Sequence, residues 1–490
     1  MKLSIRDKNN KIKRTEFAVI FLSEEYTKET DSQIPAQFAH IKERIDLKYF
    51  RGKTSESMFL PFKDTPSLIL IGTGKKADVS PEHLRNLSNR IVSTCRNRKI
   101  SEINIFLPAF KDIDKTAVLS SIAEGIYLSN YSFNRYKTRD DDRQTLLNKA
   151  NFYSDLKGGI GLLKEIEIIC ENTVSCRNLV NETSEKANPL SIAKEAKGLG
   201  RIKGMKCSVL GKNEIQKLKM GLLLAVSRGS RIPPQLVVLS YNGNPRSKKN
   251  IVIIGKGITF DSGGMNLKPS AGIETMRQDM AGAAAALYAV KAIAELGLKK
   301  NVIALLPLCE NMISNDSYRP GDIFKAFSGK TVEIANTDAE GRLILADALA
   351  YAEKKYKPDY IIDIATLTGA CLVCFAEYIA AVVSTDDKLA EAIFRAGEET
   401  GDRVWKLPLY KEYDEDLKSD IADIKNVSTA RNAGTILGGV FLKNFIKDTP
   451  WAHIDIAGTA WYSKNRGYKP KYATGFGVRL FVELIKNLKD

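Results

Sequence analysis

The chain has 490 residues, of which 44% are hydrophobic and 27% are charged, a composition typical of soluble globular proteins. This length exceeds what one ordinary hydrophobic core supports, so the sequence predicts two domains. The 74 Lys and Arg residues outnumber the 58 Asp and Glu residues, which gives a formal net charge of +16. That charge permits loose association with polyanions but does not by itself make a nucleic-acid reader, and a solvated basic surface is the simpler interpretation.

Residues 1–165 are predicted to form a smaller N-terminal α/β domain. Apolar runs predict strands at Phe17–Leu22, Leu68–Ile71 and Ile103–Leu107, with helices around residues 81–97 and 113–129. Residues 139–143 are predicted to form an exposed charged loop. No segment of this domain combines side chains into a recognisable chemical motif.

Residues 166–490 are predicted to form a larger α/β domain, in which strand and helix signals alternate. This alternation favours a largely parallel or mixed β-sheet flanked by helices on both faces. The predicted helices cover roughly residues 185–198, 276–296, 341–355, 385–398 and 476–488. The predicted strands are Glu165–Ile169, Cys207–Leu210, Leu236–Ser240, Ile251–Ile254, Val302–Leu306, Tyr360–Ile364 and His453–Ile456.

Cysteine and histidine usage argues against several kinds of site. The seven cysteines are scattered and odd in number, as expected for reduced thiols in the cytoplasm. Cys371 and Cys374 have redox-motif spacing but no second pair nearby, and we interpret both as buried packing residues. Only three histidines occur and they are far apart in the sequence, which argues against a histidine-based zinc site; we interpret His453 as a core residue.

The most apolar stretch, from Tyr360 to Val383, contains Asp363 and Glu377. It is therefore interpreted as a buried strand, a turn and a helix rather than a membrane span. The apolar run after the charged N-terminus is too short for a signal peptide. We expect a cytoplasmic protein that does not span a membrane.

Two carboxylates and a guanidinium lie within five positions in the stretch Asn336–Leu343. Residues 331–334 before it alternate like a half-buried strand, and apolar residues after it recur at helical spacing. Asp338 and Glu340 would then lie at the carboxyl end of a strand, where open α/β sheets bind ligands. Thr337 and Glu340 also have the spacing of a helix capping box, an equally good interpretation of this stretch alone.

A second polar cluster follows the apolar run Ile251–Ile254. It contains Lys256, Asp261, Lys268 and Asp279, and glycines beside Lys256 permit close approach of a ligand. Each of these residues alone could be an ordinary loop or turn residue. Together with the Asp338 and Glu340 pair, they indicate an oxygen-rich site suited to two divalent metals that accept carboxylates, Zn²⁺ and Mn²⁺ included.

These segments resemble the leucyl aminopeptidases of the M17 metallopeptidase family. Asn336–Leu343 is similar to the signature octapeptide of that family, and residues 255–264 are similar to its other metal-binding segment. Further matches cover nearly all of residues 175–490. The first domain is similar only in size and α/β character.

The resemblance implies a role for each residue of the two clusters. One metal would be held by Lys256, Asp261, Asp279 and Glu340, and the other by Asp261, Glu340 and both the side chain and the carbonyl of Asp338. Asp261 and Glu340 would bridge the two ions. Lys256 must be neutral to act as a ligand, which an adjacent dication favours.

The resemblance also implies how a peptide is bound and cut. Lys268 would stay protonated and stabilise the oxyanion, and Arg342 would anchor a bicarbonate ion acting as general base. The free α-amino group of the substrate would bind the second metal and Asp279. An apolar pocket would select leucine and similar side chains, and its residues would be Met276, Thr366, Leu367 and Gly369.

The implied function is a two-metal aminopeptidase that removes N-terminal residues, preferably leucine, from peptides. The resemblance implies a homohexamer. Two alternatives stay open: a DNA-binding or architectural role, which the net charge permits, and a catalytically inactive relative. The presence of every implied ligand argues against the second alternative.

Overall fold

The computed structural model describes residues 1–13, 16–27, 33–54, 56–139, 146–428, 430 and 432–488. The chain divides into two compact units, Met1–Glu171 with Lys464–Lys471, and Asn172–Ser463 with Tyr472–Asp490. Of the predicted charged loop at residues 139–143, only residue 139 lies among the described residues. The predicted domain boundary at residues 165/166 falls inside a helix and stays a prediction.

The first unit is built on a six-stranded sheet in the order β1-β6-β5-β2-β4-β3, parallel except for β3. Alternate residues of β2 belong to different apolar clusters: Val19 packs with helices α1 and α2, whereas Ile20 packs with the 3-10 segment at residues 36–44. Both faces of the sheet are therefore covered. The elements are β1 (Lys2–Arg6), β2 (Phe17–Leu22), β3 (Ser57–Leu60), β4 (Ser67–Gly72), α1 (Pro81–Asn97), β5 (Glu102–Phe106), α2 (Lys115–Ser129) and β6 (Lys149–Tyr153).

Helix α3 (Gly159–Asn181) follows, and the second unit contains the remaining elements. Its helices are α4 (Pro189–Leu199), α5 (Lys212–Lys217), α6 (Gly221–Ser227), α7 (Ser270–Ile273), α8 (Ala281–Glu295), α9 (Glu340–Tyr356), α10 (Gly369–Phe375), α11 (Asp387–Thr400), α12 (Gly434–Lys443) and α13 (Val478–Asn487). Its strands are β7 (Met205–Leu210), β8 (Gln235–Asn242), β9 (Ile251–Gly255), β10 (Gly257–Asp261), β11 (Asn301–Asn311), β12 (Ile323–Lys325), β13 (Thr331–Glu333), β14 (Tyr360–Ala365), β15 (Ala380–Ser384), β16 (Val404–Lys406), β17 (Ile424–Lys425), β18 (Trp451–Asp455), β19 (Trp461–Tyr462) and β20 (Tyr472–Ala473). Residues 276–280 and 411–417 form 3-10 segments.

The main sheet of the second unit has nine strands in the order β16-β15-β18-β14-β9-β11-β8-β7, with β10 paired to β11. Strands β18, β14, β9 and β11 run parallel, whereas β15, β8 and β7 each pair antiparallel with a neighbour. The mixed sheet predicted from the sequence is thus confirmed. The parallel strands place the loops after β9 and β14 at one edge of the sheet, where the polar clusters gather.

One local prediction was wrong, and another strand was predicted without its sheet. The segment Glu165–Ile169, predicted as a strand, lies inside α3, where Leu163, Ile166 and Cys170 are buried at helical spacing. Five residues that alternate between polar and apolar types are too few to separate the two periods. The strand predicted at residues 331–334 is present as β13, and it belongs to a three-stranded sheet with β12 and β17 rather than to the main sheet.

The strand, turn and helix predicted from Tyr360 to Val383 correspond to β14, residues 366–368 and α10, but the stretch ends in β15, a strand that was not predicted. Within the ranges that the structure describes, no helix combines the length and apolarity needed to cross a membrane. Cys371 is buried, but Cys374 is exposed because it lies on the outer face of the short helix α10, so the prediction of two buried thiols was half wrong. His453 is fully buried beside Asp363, which confirms a core histidine.

Candidate active site

Lys256 lies at the centre of the site, between the end of β9 and the start of β10. Its backbone N–H donates to the Ile364 carbonyl of β14 at 3.0 Å, and its carbonyl accepts from the Ala283 N–H of α8 at 2.8 Å. The side chain passes Gly341 in the first turn of α9, where a Cβ atom would lie only 2.5 Å from Cε of Lys256. The residue is therefore held by two strands and two helices that are distant in sequence.

The Lys256 ammonium group is buried and bonded to three oxygen atoms. Nζ lies 2.8 Å from Asp279 Oδ1 and 2.8 Å from Glu340 Oε1, and it donates to the Thr366 carbonyl at 2.9 Å. Burial lowers the pKa of Lys256, but the carboxylates of Asp279, Glu340 and Asp261 outweigh burial and raise it above its ordinary value. Asp279 and Glu340 therefore share the positive charge of this amine.

Lys268 is the second cation of the site and lies on its more open side. Its ammonium group is 2.8 Å from Asp261 Oδ2 and 2.5 Å from Asp338 Oδ1. The Lys268 side chain is 16% exposed, compared with 3% for Lys256. Burial lowers the pKa of Lys268, but the surrounding carboxylates, Asp261 first, raise it above its ordinary value.

The carboxylates are close enough together to share a metal ion. Asp261, Asp338 and Glu340 each offer an oxygen atom within 4.8 Å of the others. Asp279 Oδ2 and Glu340 Oε2 are buried and have no hydrogen-bond partner among the described residues. Since a buried carboxylate oxygen is costly to leave unpaired, these two atoms indicate a ligand that the protein itself does not supply.

The pKa values of the carboxylates are spread apart by burial and by their neighbours. Burial, assisted by the charge of Glu340, raises the pKa of Asp261 to about 6. Burial also raises the pKa of Asp279 well above its ordinary value. For Glu340, burial acts in the same direction, but Lys256 and Lys268 outweigh it and lower the pKa. Carboxylates whose pKa values are shifted in opposite directions are typical of functional sites.

The segment 336–339 does not form the capping box that its sequence permits. Helix α9 begins at Glu340 with Ala339 as its N-cap, and no side chain caps it. The Thr337 hydroxyl instead donates to the Gly263 carbonyl at 2.7 Å and accepts from the Asn266 N–H at 2.8 Å. The threonine therefore ties the segment that carries Asp338 and Glu340 to the loop that follows Asp261.

Two residues of this region were not predicted from the sequence, Asn311 and Tyr318. The Asn311 amide donates to Asp261 Oδ1 at 2.8 Å and to the Thr337 carbonyl at 3.0 Å, and the Tyr318 hydroxyl donates to the same carbonyl at 2.7 Å. The one signal for Asn311 was its position as a polar residue that ends the apolar run 302–309. Such residues at the end of a buried strand commonly face a site.

Arg342 lies in the first turn of α9 and is buried. Its guanidinium donates to the Asn426 carbonyl at 2.6 Å, and its Nε has no hydrogen-bond partner among the described residues. Burial lowers the pKa of Arg342 to about 10, although the charges of Glu340 and Asp455 oppose this shift. A buried guanidinium with a free N–H is suited to bind an anion.

The residues predicted to line the apolar pocket lie on segments that adjoin the cluster. The Thr366 hydroxyl donates to Asp279 Oδ1 at 2.7 Å, which joins it directly to the cluster. Met276 begins the 3-10 segment that carries Asp279 and is half-buried. Leu367 is also half-buried, and Gly369 is exposed at the start of α10.

The comparison with known families agrees with the motifs. The model of the cytosol aminopeptidase family, catalytic domain, matches residues 174–482, and the model of the N-terminal domain of the same family matches residues 19–140. The chain belongs to the cytosol aminopeptidase family. The predicted resemblance is thus confirmed, and it includes the first domain, for which only size and fold class had been recognised.

Curated relatives in this family are similar over most of their length. The chain is 45% identical to the probable cytosol aminopeptidase of Protochlamydia amoebophila (strain UWE25), with 90% of the chain and 89% of the relative covered. It is 43% identical to the probable cytosol aminopeptidase of Geobacter sulfurreducens (strain ATCC 51573 / DSM 12127 / PCA), with 86% and 84% covered. Family membership supports a peptidase, that is, a hydrolase acting at peptide N-termini.

Among solved structures, the bottromycin maturation enzyme BotP is similar to the chain at 28% identity and a TM-score of 0.85. The match covers 96% of this chain and 99% of BotP. A second BotP structure with the same values is described as a complex with Mn. The fold similarity to BotP therefore includes both regions that the family models match, residues 19–140 and 174–482.

Proposed function

We propose that this protein is a two-metal aminopeptidase that releases N-terminal residues, preferably leucine and other apolar residues, from peptides with a free N-terminus. The observation that carries the proposal is a cluster of four carboxylates and two lysines, in which Lys256, Asp261, Asp279 and Glu340 are buried and Lys268 and Asp338 lie on the open side. Two of its buried carboxylate oxygens lack a partner among the described residues. The similar BotP, described in complex with Mn, adds support for a metal at such a site.

The donor set fits divalent metals. The four carboxylates carry more negative charge than two ammonium groups neutralise, and carboxylate oxygens suit Mn²⁺ and Zn²⁺. In the proposal, Lys256, Asp261, Asp279 and Glu340 hold one ion, and Asp338 completes the ligands of the other with Asp261 and Glu340. When bound, two such ions supply an activated water nucleophile and polarise the scissile carbonyl.

The side chains around the ions would bind the substrate and stabilise charge. Lys268, the more exposed lysine, keeps its proton and donates to the oxyanion that develops on the cleaved carbonyl. The substrate's free α-amino group would bind the second metal and lie against Asp279, which would restrict cleavage to the first residue. Arg342 anchors a bicarbonate ion through its unpaired N–H, so that a proton acceptor is present without a histidine.

Selection of the substrate side chain is assigned to the segments on either side of Asp279 and Thr366. Met276 supplies a flexible apolar surface that adapts to several side-chain shapes. Leu367 extends that surface, and Gly369 leaves room for a branched side chain. The expected preference is for leucine, methionine and similar residues.

The test is the release of a chromophore from a leucine amide by protein that has been stripped of metal and then supplied with Mn²⁺ or Zn²⁺. Lys268→Ala and Glu340→Ala are compared with Lys418→Ala and Glu415→Ala. The second pair is an exposed ion pair, with both side chains 68% exposed. An N-acetylated substrate tests the requirement for a free amine.

We expect metal-dependent turnover that is lost in the two site variants and with the acetylated substrate, and retained in the surface variants. The reason is that only the site variants remove a group that holds a metal or stabilises the oxyanion. Folded protein without turnover in either metal would overturn the proposal.

Assembly, location and the nucleic-acid alternative also stay predictions. We propose a cytoplasmic homohexamer, which light scattering tests: a fully active monomer would contradict it. Nucleic-acid binding rests on the net charge of +16 alone. Its test is a mobility shift at several salt concentrations, because phosphate contacts weaken steeply as salt rises.

A further inference from the structure

Asn311 joins the two segments that carry the carboxylates. It ends β11 and lies opposite Asp261 of β10 in the parallel pairing of these strands. Its side-chain amide bonds Asp261 on one segment and the Thr337 carbonyl on the other. Its own carbonyl accepts from the Ser262 N–H at 2.9 Å and from the Ser262 hydroxyl at 2.7 Å. One fully buried residue therefore bonds both metal-binding segments.

The orientation of the Asn311 amide follows from its neighbours. Both nearby groups, Asp261 Oδ1 and the Thr337 carbonyl, are acceptors, so the amide must present its N–H groups to them. The Asn311 Oδ1 atom is left buried without a hydrogen-bond partner among the described residues. A buried oxygen without a partner costs free energy. We infer that the two hydrogen bonds donated by the amide, and not its oxygen, are the reason for an asparagine here.

The two carboxylate oxygen atoms of Asp261 have different partners. Oδ1 accepts from Asn311 and from the Gly263 N–H, at 2.8 Å and 2.9 Å. Oδ2 lies 2.8 Å from the Lys268 ammonium and faces the cluster. Because the Asn311 amide occupies one oxygen, the other stays directed at the position where cations bind.

We propose that Asn311 is a positioning residue for the metal site, which holds Asp261 and the Thr337–Asp338 backbone in one fixed relation. This inference rests on the proposed two-metal function and goes beyond it, since Asn311 itself is not a ligand. Partners that orient metal ligands typically change metal affinity by about 10- to 100-fold when they are removed. We expect metal affinity to fall by the same factor when the Asn311 amide is removed.

The test measures the affinity of metal-free protein for Mn²⁺ by titration calorimetry. Asn311→Leu retains most of the side-chain volume without the amide, and Asn311→Ala removes both. The matched control is Asn301→Ala at the opposite end of β11, where the amide nitrogen lies 3.0 Å from three backbone carbonyls away from the cluster and shares its two N–H groups among them. Tyr318→Phe removes a bond to Thr337 but none to Asp261.

Both Asn311 variants should bind Mn²⁺ about 10- to 100-fold more weakly, Tyr318→Phe should lose less, and Asn301→Ala should bind like the unsubstituted protein. A loss in Asn311→Ala but not in Asn311→Leu would mean that volume alone matters and would overturn the inference. An equal loss of Mn²⁺ affinity in Tyr318→Phe would also overturn the inference. That variant keeps the Asn311 bond to Asp261, so the bond would then make no contribution of its own. If the unsubstituted protein binds no metal, the proposed function falls and takes this inference with it.

Discussion

Gly341→Ala should inactivate the site without removing any functional group. The added Cβ would lie 2.5 Å from Cε and 2.7 Å from both Cδ and Nζ of Lys256. Carbon atoms in contact prefer about 3.5–4.0 Å, so the end of the lysine must move by about 1 Å. That movement breaks the 2.8 Å contacts to Asp279 and Glu340. A misplacement of about 1 Å costs about 100-fold in rate, or roughly 2.7 kcal/mol of transition-state stabilisation.

The assay compares kcat/KM for a leucine amide with unfolding by urea. The fold should persist, because alanine is favoured over glycine inside a helix by about 0.5–1 kcal/mol. Gly198→Ala in α4 is the matched control, since no atom lies within 4 Å of the added Cβ there. The reasoning is refuted if Gly341→Ala is as active as Gly198→Ala, or if it unfolds before its activity can be measured.

Three further substitutions test separate parts of the site. Lys268→Met removes the proposed oxyanion donor, and steady-state kinetics should show kcat reduced about 10²- to 10³-fold in folded protein; an unchanged kcat would exclude that role. Thr337→Val leaves the buried Gly263 carbonyl without its donor and should lower the free energy of unfolding by about 1–3 kcal/mol in urea. A change of only a few tenths of a kcal/mol would show that this hydroxyl is dispensable for stability. Gly282→Ala would place a Cβ 2.1 Å from the Ile364 carbonyl oxygen. Backbone atoms move away less easily than the end of a side chain, so the free energy of unfolding should fall by about 1–3 kcal/mol or more. A melting temperature equal to that of the unsubstituted protein would contradict this.

Elements with long periodic patterns could be predicted from the sequence. The bounds predicted for β2 and α1 agree with the structure, and those of α9 differ by one residue at each end. Short segments were less secure, because a pattern such as that at residues 165–169 fits a strand as well as one face of a helix. The pairing of β13 with β12 and β17 was not predictable either, since it depends on residues distant in sequence.

The residue types of the site were predictable, but their pairing was not. Carboxylates and lysines after apolar runs indicated a shared edge of the sheet, and the structure gathers them there. Which lysine contacts which carboxylate depends on packing between β9, α8 and α9. Asn311 was missed because a single amide has no spacing pattern. Only its neighbours Asp261 and Thr337, both acceptors, reveal what it does.

The environments of the two lysines differ in a way that the sequence does not reveal. Lys256 is 3% exposed, and one of its acceptors is the carbonyl of Thr366, which needs a donor but no charge. The other two contacts of its amine are with the carboxylates of Asp279 and Glu340, so in the proposed function Lys256 would become a neutral ligand only when a metal ion displaces its proton. Lys268 is 16% exposed, and the contacts of its ammonium are with the carboxylates of Asp261 and Asp338. Because both contacts are charge-assisted hydrogen bonds, losing the proton of Lys268 would weaken both. Its position on the open side is where a substrate would enter, so in the proposed function its charge would be available to a developing oxyanion.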